Sequence, residues 1–171
     1  MRDTIARRSD VDKNSIKYEV EPGTKRYRNG TIRFAATQGQ SVDLKGLSAN
    51  LKATRLGGRT NSGVNYLEIT VAGELVADEK ETVLKVTGTA QQFVLGEDPK
   101  AAPQEGKKTA HQRLQEALKK GEKIASVTGR VQGWSGRWPD VLRALEAEEK
   151  KDPDKRKPPL LFVTDFQVAK E

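Results

Sequence analysis

The sequence predicts a mixed α+β chain in which a small, strongly curved sheet carries helices set into its connections. Three observations predict it. Apolar and polar residues alternate over 66–76, 82–95, 124–132 and 160–168, the period of half-buried strands. Thr109-Ala110-His111-Gln112 opens an amphipathic stretch with the reciprocal Thr and Gln of a capping box. Three strand segments share one ending, Val71-Ala72-Gly73, Val86-Thr87-Gly88 and Val127-Thr128-Gly129, with Val163-Thr164-Asp165 an imperfect fourth. Glycine inside a strand marks a bend or a close backbone approach, and a small sheet that coils tightly needs such bends.

The elements follow in order. Residues 1–24 read as a flexible N-terminal arm, although Ile16-Lys17-Tyr18-Glu19-Val20 alternates like a short strand before Pro22-Gly23. Asn29-Gly30 sits between alternating residues and predicts a two-residue hairpin turn, because both central positions of a type I′ turn need positive φ. Its second arm is 31–36. Ser41 is placed to cap a helix over 42–54, with Asp43 in the first turn and Leu44, Leu47 and Leu51 on one face. The glycine-rich stretch 57–63 reads as a flexible loop, and 66–76 with 82–95 as a long hairpin. The helix over 109–120 ends at Lys119-Lys120-Gly121, where cations meet the negative helix end and glycine takes the left-handed position. A strand over 124–132 follows. Pro139 then starts a helix over 139–151, and 160–168 is the last strand. The organisation expected is therefore an arm (1–24), a hairpin and helix unit (25–64) and a strand-rich unit (65–171) that holds the helices 109–120 and 139–151.

Strands in this order with inserted helices resemble an OB-fold-like β-barrel, the resemblance resting on Val127-Thr128-Gly129-Arg130-Val131 and Phe162-Val163-Thr164-Asp165-Phe166. The stretch before it, strand 31–36, helix 42–54 and strand 66–72, resembles the βαβ start of a heavy-metal-associated, ferredoxin-like domain. Those domains carry Cys-x-x-Cys between strand and helix. Here that place holds Thr37-Gln38-Gly39-Gln40-Ser41, so the resemblance implies the fold and not the metal chemistry. The fold expected is thus α+β, a small OB-like barrel with inserted helices and an N-terminal βαβ-like extension. One ferredoxin-like sandwich with extra elements is the alternative.

Composition narrows the chemistry. The chain has 171 residues and no cysteine, which excludes disulfides, thiolate nucleophiles and cysteine-ligated zinc. Its net charge of +7 is uneven: residues 1–60 hold 13 Lys+Arg against 6 Asp+Glu, while 61–120 hold 8 against 9 and 121–171 hold 10 against 9. Such asymmetry favours an anionic partner for the first third, or else a basic solubilising arm. Residues 1–8 hold no apolar stretch of signal-peptide length and no run approaches a membrane span. The chain as given reads as cytoplasmic, or as exported if a leader has been removed.

No catalytic or metal constellation stands out, so no enzyme activity, cofactor or metal is expected. His111 is the single histidine and borders the helix stripe ahead of Leu114. Glu74, Asp78, Glu79 and Glu81 cluster at a hairpin turn without the order of a calcium loop. Gly58 to Gly63 has phosphate-loop spacing, but Val64-Asn65 follows where Lys-Ser/Thr is required. A loose anion contact through Arg55 and Arg59 is what that loop retains. Two basic and aromatic groups are left: Lys25, Arg26, Tyr27, Arg28 and Arg33 beside Phe34, and Arg130, Trp134, Arg137 and Trp138. Cations interleaved with aromatic platforms are the chemistry of single-strand nucleic-acid binding. Trp134 and Trp138 also suit a second role, as hydrophobic anchors seating the next helix. The expected function is a non-enzymatic binding module for a polyanion such as single-stranded nucleic acid. The alternative is an extracytoplasmic or accessory protein-interaction domain.

Overall fold

The computed structural model describes residues 2–20, 30–53, 55–56, 60–61, 66–77, 81–99, 107–132 and 158–169. The chain divides into two compact units, Met1–Ser62 and Gly63–Glu171. Both are mixtures of helix and strand, and strand predominates.

The first unit contains helix α1 (Arg2–Ala6), strands β1 (Val11–Val20) and β2 (Gly30–Ala36), helix α2 (Leu44–Ala53) and a minimal pair, β3 (Arg55–Leu56) with β4 (Thr60–Asn61). β1 and β2 form an antiparallel ribbon in the register Val20↔Gly30, Tyr18↔Ile32 and Lys17↔Arg33, with an irregularity between Asp12 and Lys17. That irregularity has local causes. The Asp12 carboxylate accepts from the Asn14 N–H at 3.0 Å, and the Ser15 hydroxyl donates to the Asp12 carbonyl at 2.6 Å. The Ala35 N–H is satisfied by Ser15 Oγ instead of by a backbone carbonyl. Ile5, Val11, Leu47 and Leu51 are all buried and form the core of this unit.

Four expectations are corrected here. Residues 2–20 of the stretch expected to be a flexible arm form a helix and a strand, because Ile5 and Val11 have a core to enter. Gly30 is not the centre of a two-residue turn, because it opens β2 opposite Val20 of β1, and Asn29 lies outside the described residues. The cap of α2 is Asp43 and not Ser41. Asp43 Oδ1 accepts from the Gly46 N–H at 3.0 Å, and its carbonyl takes the first helical bond from Leu47. Finally, strand 31–36 and the strand after the helix lie in different sheets, so the parallel pair of a ferredoxin-like start is absent.

The second unit contains β5 (Glu68–Val71), β6 (Gly73–Ala77), β7 (Thr82–Val86), β8 (Gln92–Gly96), α3 (Ala110–Lys119), β9 (Ile124–Val131) and β10 (Leu160–Val168). They form one six-stranded sheet in the order β5-β9-β10-β8-β7-β6. Only β8 and β10 run parallel. The expected second arm 82–95 is two strands, reversed by a turn in which Gly88 has φ of +74° and the Val86 N–H bonds the Gln91 carbonyl. The two outer strands of the order, β5 and β6, are consecutive in the chain and separated by Ala72 alone. The Ala72 carbonyl accepts from the Thr87 N–H at 3.0 Å.

Two of the three repeated glycines are close approaches. A Cβ on Gly73 would lie 2.1 Å from the Lys85 carbonyl oxygen, and one on Gly129 would lie 2.7 Å from both Leu161 Cγ and the Phe162 carbonyl oxygen. Helix α3 carries the expected capping box. Thr109 Oγ1 accepts from the Gln112 N–H while the Gln112 side chain accepts from the Thr109 N–H, and Gly121 ends it at φ +76°. It packs on β10. Leu84, Phe93, Leu95, Leu114, Ala117, Val127, Val131, Leu161 and Val163 are the buried apolar residues of this unit among those described. Fully burying one such side chain contributes about 1.5–3 kcal/mol. The buried Thr82 hydroxyl accepts from Gln115 Nε2 at 3.0 Å, which satisfies it inside that core. The helix expected over 139–151 lies outside the described residues.

Candidate functional site

Of the side chains the sequence singles out, Lys25, Arg26, Tyr27, Arg28, Trp134, Arg137 and Trp138 lie outside the described residues. Arg33 and Arg130 lie within them, on different units. His111 is half-buried on α3, with Nε2 3.4 Å from Gln115 Nε2, and belongs to the chain of contacts that ends at Thr82. Among the described residues there is no group of three His, Asp or Glu side chains arranged to hold a metal ion, and no helix is long and apolar enough to cross a membrane.

The ribbon β1–β2 sorts its side chains by the two-residue period of a strand. Lys17, Glu19 and Arg33 share one face and are all exposed. Lys17 and Arg33 are register partners, an unfavourable like-charge pair. Glu19 Oε2 relieves half of it by accepting from Arg33 Nη1 at 2.7 Å. Lys17 has no such partner among the described residues, and neither has exposed Arg7 or Lys13. The opposite face carries Tyr18, half exposed, with Ile32 and Phe34.

Just before β1 lies a charged knot that the sequence reading missed. Arg8 donates from Nε to Asp10 Oδ1 at 2.8 Å and from Nη2 to Asp10 Oδ2 at 2.7 Å, the two-pronged geometry that suits guanidinium and carboxylate. Arg8 Nη2 also donates to the Asp43 carbonyl at 3.0 Å, and the Asp43 N–H donates to Asp10 Oδ2 at 2.8 Å. The two side chains are only 8% and 12% exposed. Burial works to raise the Asp10 carboxyl, but the Arg8 hydrogen bonds, the Asp43 N–H and the charge of Arg8 outweigh it and hold the group below the usual aspartate value. The knot ties the start of β1 to the start of α2, and every acceptor of Asp10 that it uses is filled from within the protein.

On the second unit a surface cluster forms around Arg130. Register sets Arg130 on β9 opposite Glu68 on β5, and Tyr66 lies two residues before Glu68 on the same face. The guanidinium carbon of Arg130 lies 4.5 Å from the centroid of the Tyr66 ring, a cation–π stack. Arg130 Nε donates to Glu68 Oε2 at 3.4 Å, and Thr164 Oγ1 donates to the same oxygen at 3.3 Å. Thr70 and Thr128, the next register pair, share a hydrogen bond at 2.8 Å. On its other side Arg130 faces Phe162 of β10, which is half-buried. Tyr66 and Glu68 were absent from the sequence-based candidates. Their signal was the alternation that opens the strand at 66, but only the register of β5 on β9 reveals that they meet Arg130.

Comparisons with protein-family models, with curated proteins and with solved structures returned no match.

Proposed function

We propose that this chain is a non-enzymatic binding module for a polyanionic partner, with single-stranded nucleic acid the partner its chemistry suits best. The observation that carries this reading is the division of charge between the units. Met1–Ser62 holds 13 Lys+Arg against 6 Asp+Glu, whereas Gly63–Glu171 holds 18 against 18. The whole net charge of +7 therefore belongs to the first unit. Arg7, Lys13 and Lys17 on that unit are exposed and have no partner among the described residues. Cations with no internal partner are the ones free to replace the counterions of a phosphate chain.

We read the second unit as a small OB-like barrel. What supports this is the path of its sheet: the outer strands β5 and β6 are successive stretches of chain, β8 and β10 run parallel, and helix α3 stands between β8 and β9. Barrels of that kind bind extended polymers, oligonucleotides or oligosaccharides, on one face.

A labelled single-stranded oligonucleotide titrated with the full chain at stepped salt concentrations tests the proposal by fluorescence anisotropy. Three unpaired cations at about −0.7 per neutralised phosphate give a slope of log affinity against log salt of about −2 or steeper. Absence of binding, or binding indifferent to salt, overturns the reading. Recovery of a specific protein partner by a chain that ignores oligonucleotides would support an accessory protein-interaction domain instead.

A further inference from the structure

We infer that Tyr66, Arg130 and Glu68 form a stacking subsite for one nucleobase of a single strand, an inference that rests on the polyanion reading above. The cluster has three properties that a phosphate contact does not need and a base contact does. First, it is flat and open: Tyr66 is 46% exposed, and the side chains of Arg130 and Glu68 are 45% and 37% exposed. Second, it is electrically balanced. Glu68 accepts from Arg130, so the positive charge that would draw a phosphate is cancelled at the spot where the ring is presented. Third, it is held in place before any ligand arrives. Arg130 is fixed by the Tyr66 ring on one side and the Glu68 carboxylate on another, and Glu68 is fixed in turn by Thr164. A guanidinium pinned in this way keeps its plane, and little side-chain freedom is lost when a second flat group stacks on the pair.

The placement in the sheet supports the same reading. Arg130 is the last outward-facing residue of β9 before Val131 and Gln132, and the Gln132 N–H bonds the Leu160 carbonyl where the chain re-enters the sheet as β10. The Val131 N–H bonds the Leu67 carbonyl next to Tyr66. Tyr66 therefore stands at the end of the sheet where β9 ends and β10 begins. Phe162 continues the row beyond Arg130 on the same face.

The test compares a labelled single-stranded oligonucleotide with an abasic strand of equal length, which keeps the phosphates and lacks the bases. Loss of one base–aromatic stack lowers affinity about 5- to 150-fold. Tyr66→Ala is expected to weaken binding of the normal strand by a factor in that range, to leave the abasic strand within twofold, and to leave the salt slope unchanged. Tyr66→Phe keeps the ring and is expected to bind as the parent does. Arg130→Lys keeps the charge without the plane and is expected to follow Tyr66→Ala. The subsite is overturned if Tyr66→Ala leaves the normal strand unaffected, if it weakens both strands equally, or if a neutral oligosaccharide binds in a Tyr66-dependent way. If the normal and abasic strands bind alike and with salt sensitivity, the polyanion reading stands and the subsite falls. If neither strand binds, both fall.

Discussion

Replacing Asp10 by alanine removes the acceptor around which the first unit is tied. Asp10 takes three hydrogen bonds, two from Arg8 at 2.8 and 2.7 Å and one from the Asp43 N–H at 2.8 Å. Arg8 is left with the Asp43 carbonyl and with Asp43 Oδ2 at 3.7 Å, while its side chain is 8% exposed. Stranding one partner of a buried pair costs about 3–5 kcal/mol. A unit of about 60 residues has roughly 3–9 kcal/mol of total stability at ~0.05–0.15 kcal/mol per residue. Asp10→Ala is therefore expected to remove much of the stability of Met1–Ser62. Hydrogen exchange of the β1 and α2 amides under native conditions reads this directly. The combined Arg8→Met and Asp10→Leu variant removes both charges and is expected to fall within about 1 kcal/mol of the parent, since a buried pair replaced by apolar groups of similar size is often neutral. The acid dependence carries the same signature. The Asp10 carboxyl titrates below the usual value of 3.8 when folded, so its stabilisation is complete above that pH and is lost as pH falls through the folded value. Both Asp10 variants should flatten that acid loss. An Asp10→Ala cost under about 1 kcal/mol, or a double variant as unstable as the single one, would refute the assignment of the knot as the fastening of this unit.

Three further outcomes follow from the second unit. Gly129→Ala places a methyl group 2.7 Å from Leu161 Cγ and the Phe162 carbonyl, so it is expected to cost about 1–3 kcal/mol by overpacking, read as a lowered Tm in a thermal melt. Leu114→Ala empties a fully buried position and is expected to cost about 2–5 kcal/mol in a denaturant titration. Thr109→Ala breaks the capping box and is expected to cost about 1 kcal/mol, with Thr109→Asp recovering most of it, as helical circular dichroism through the unfolding transition would report.

What was legible in the sequence depended on how far each element's signal reached along the chain. Helix α3 could be read residue by residue, because its capping box, apolar stripe and terminal glycine are all local. Strands β9 and β10 came out at nearly their full lengths, since each is buried on one face over many residues. β1 was largely invisible. Asp12, Asn14 and Ser15 read as loop residues, yet their side chains satisfy the backbone of an irregular stretch of strand, and the pairing that makes them a strand comes from β2 twenty residues later. Asn29-Gly30 misled for a related reason: a turn signal names a local conformation, whereas the register that placed Gly30 opposite Val20 is set over the whole ribbon. The candidate residues show the same limit. Arg130 was found by its type and its neighbours, but Glu68 and Tyr66, 62 and 64 positions earlier, become its partners only through strand pairing.

The two proposed contributions to binding can be separated because salt acts on only one of them. Phosphate contacts release counterions, so each cation that engages the backbone steepens the salt dependence, whereas stacking on a charge-balanced platform does not. Lys17 is exposed on the ribbon without a partner among the described residues, opposite an Arg33 already engaged by Glu19. Lys17→Ala is thus expected to weaken every anionic strand, normal or abasic, and to make the slope shallower by about 0.7. Arg33→Ala should change the slope less, since its charge is neutralised before any ligand arrives. Tyr66→Ala should move the affinity and not the slope. If Lys17→Ala left the slope intact while Arg33→Ala reduced it, the unpaired cations would not be the ones that meet the phosphates, and the Glu19–Arg33 pair would have to open on binding.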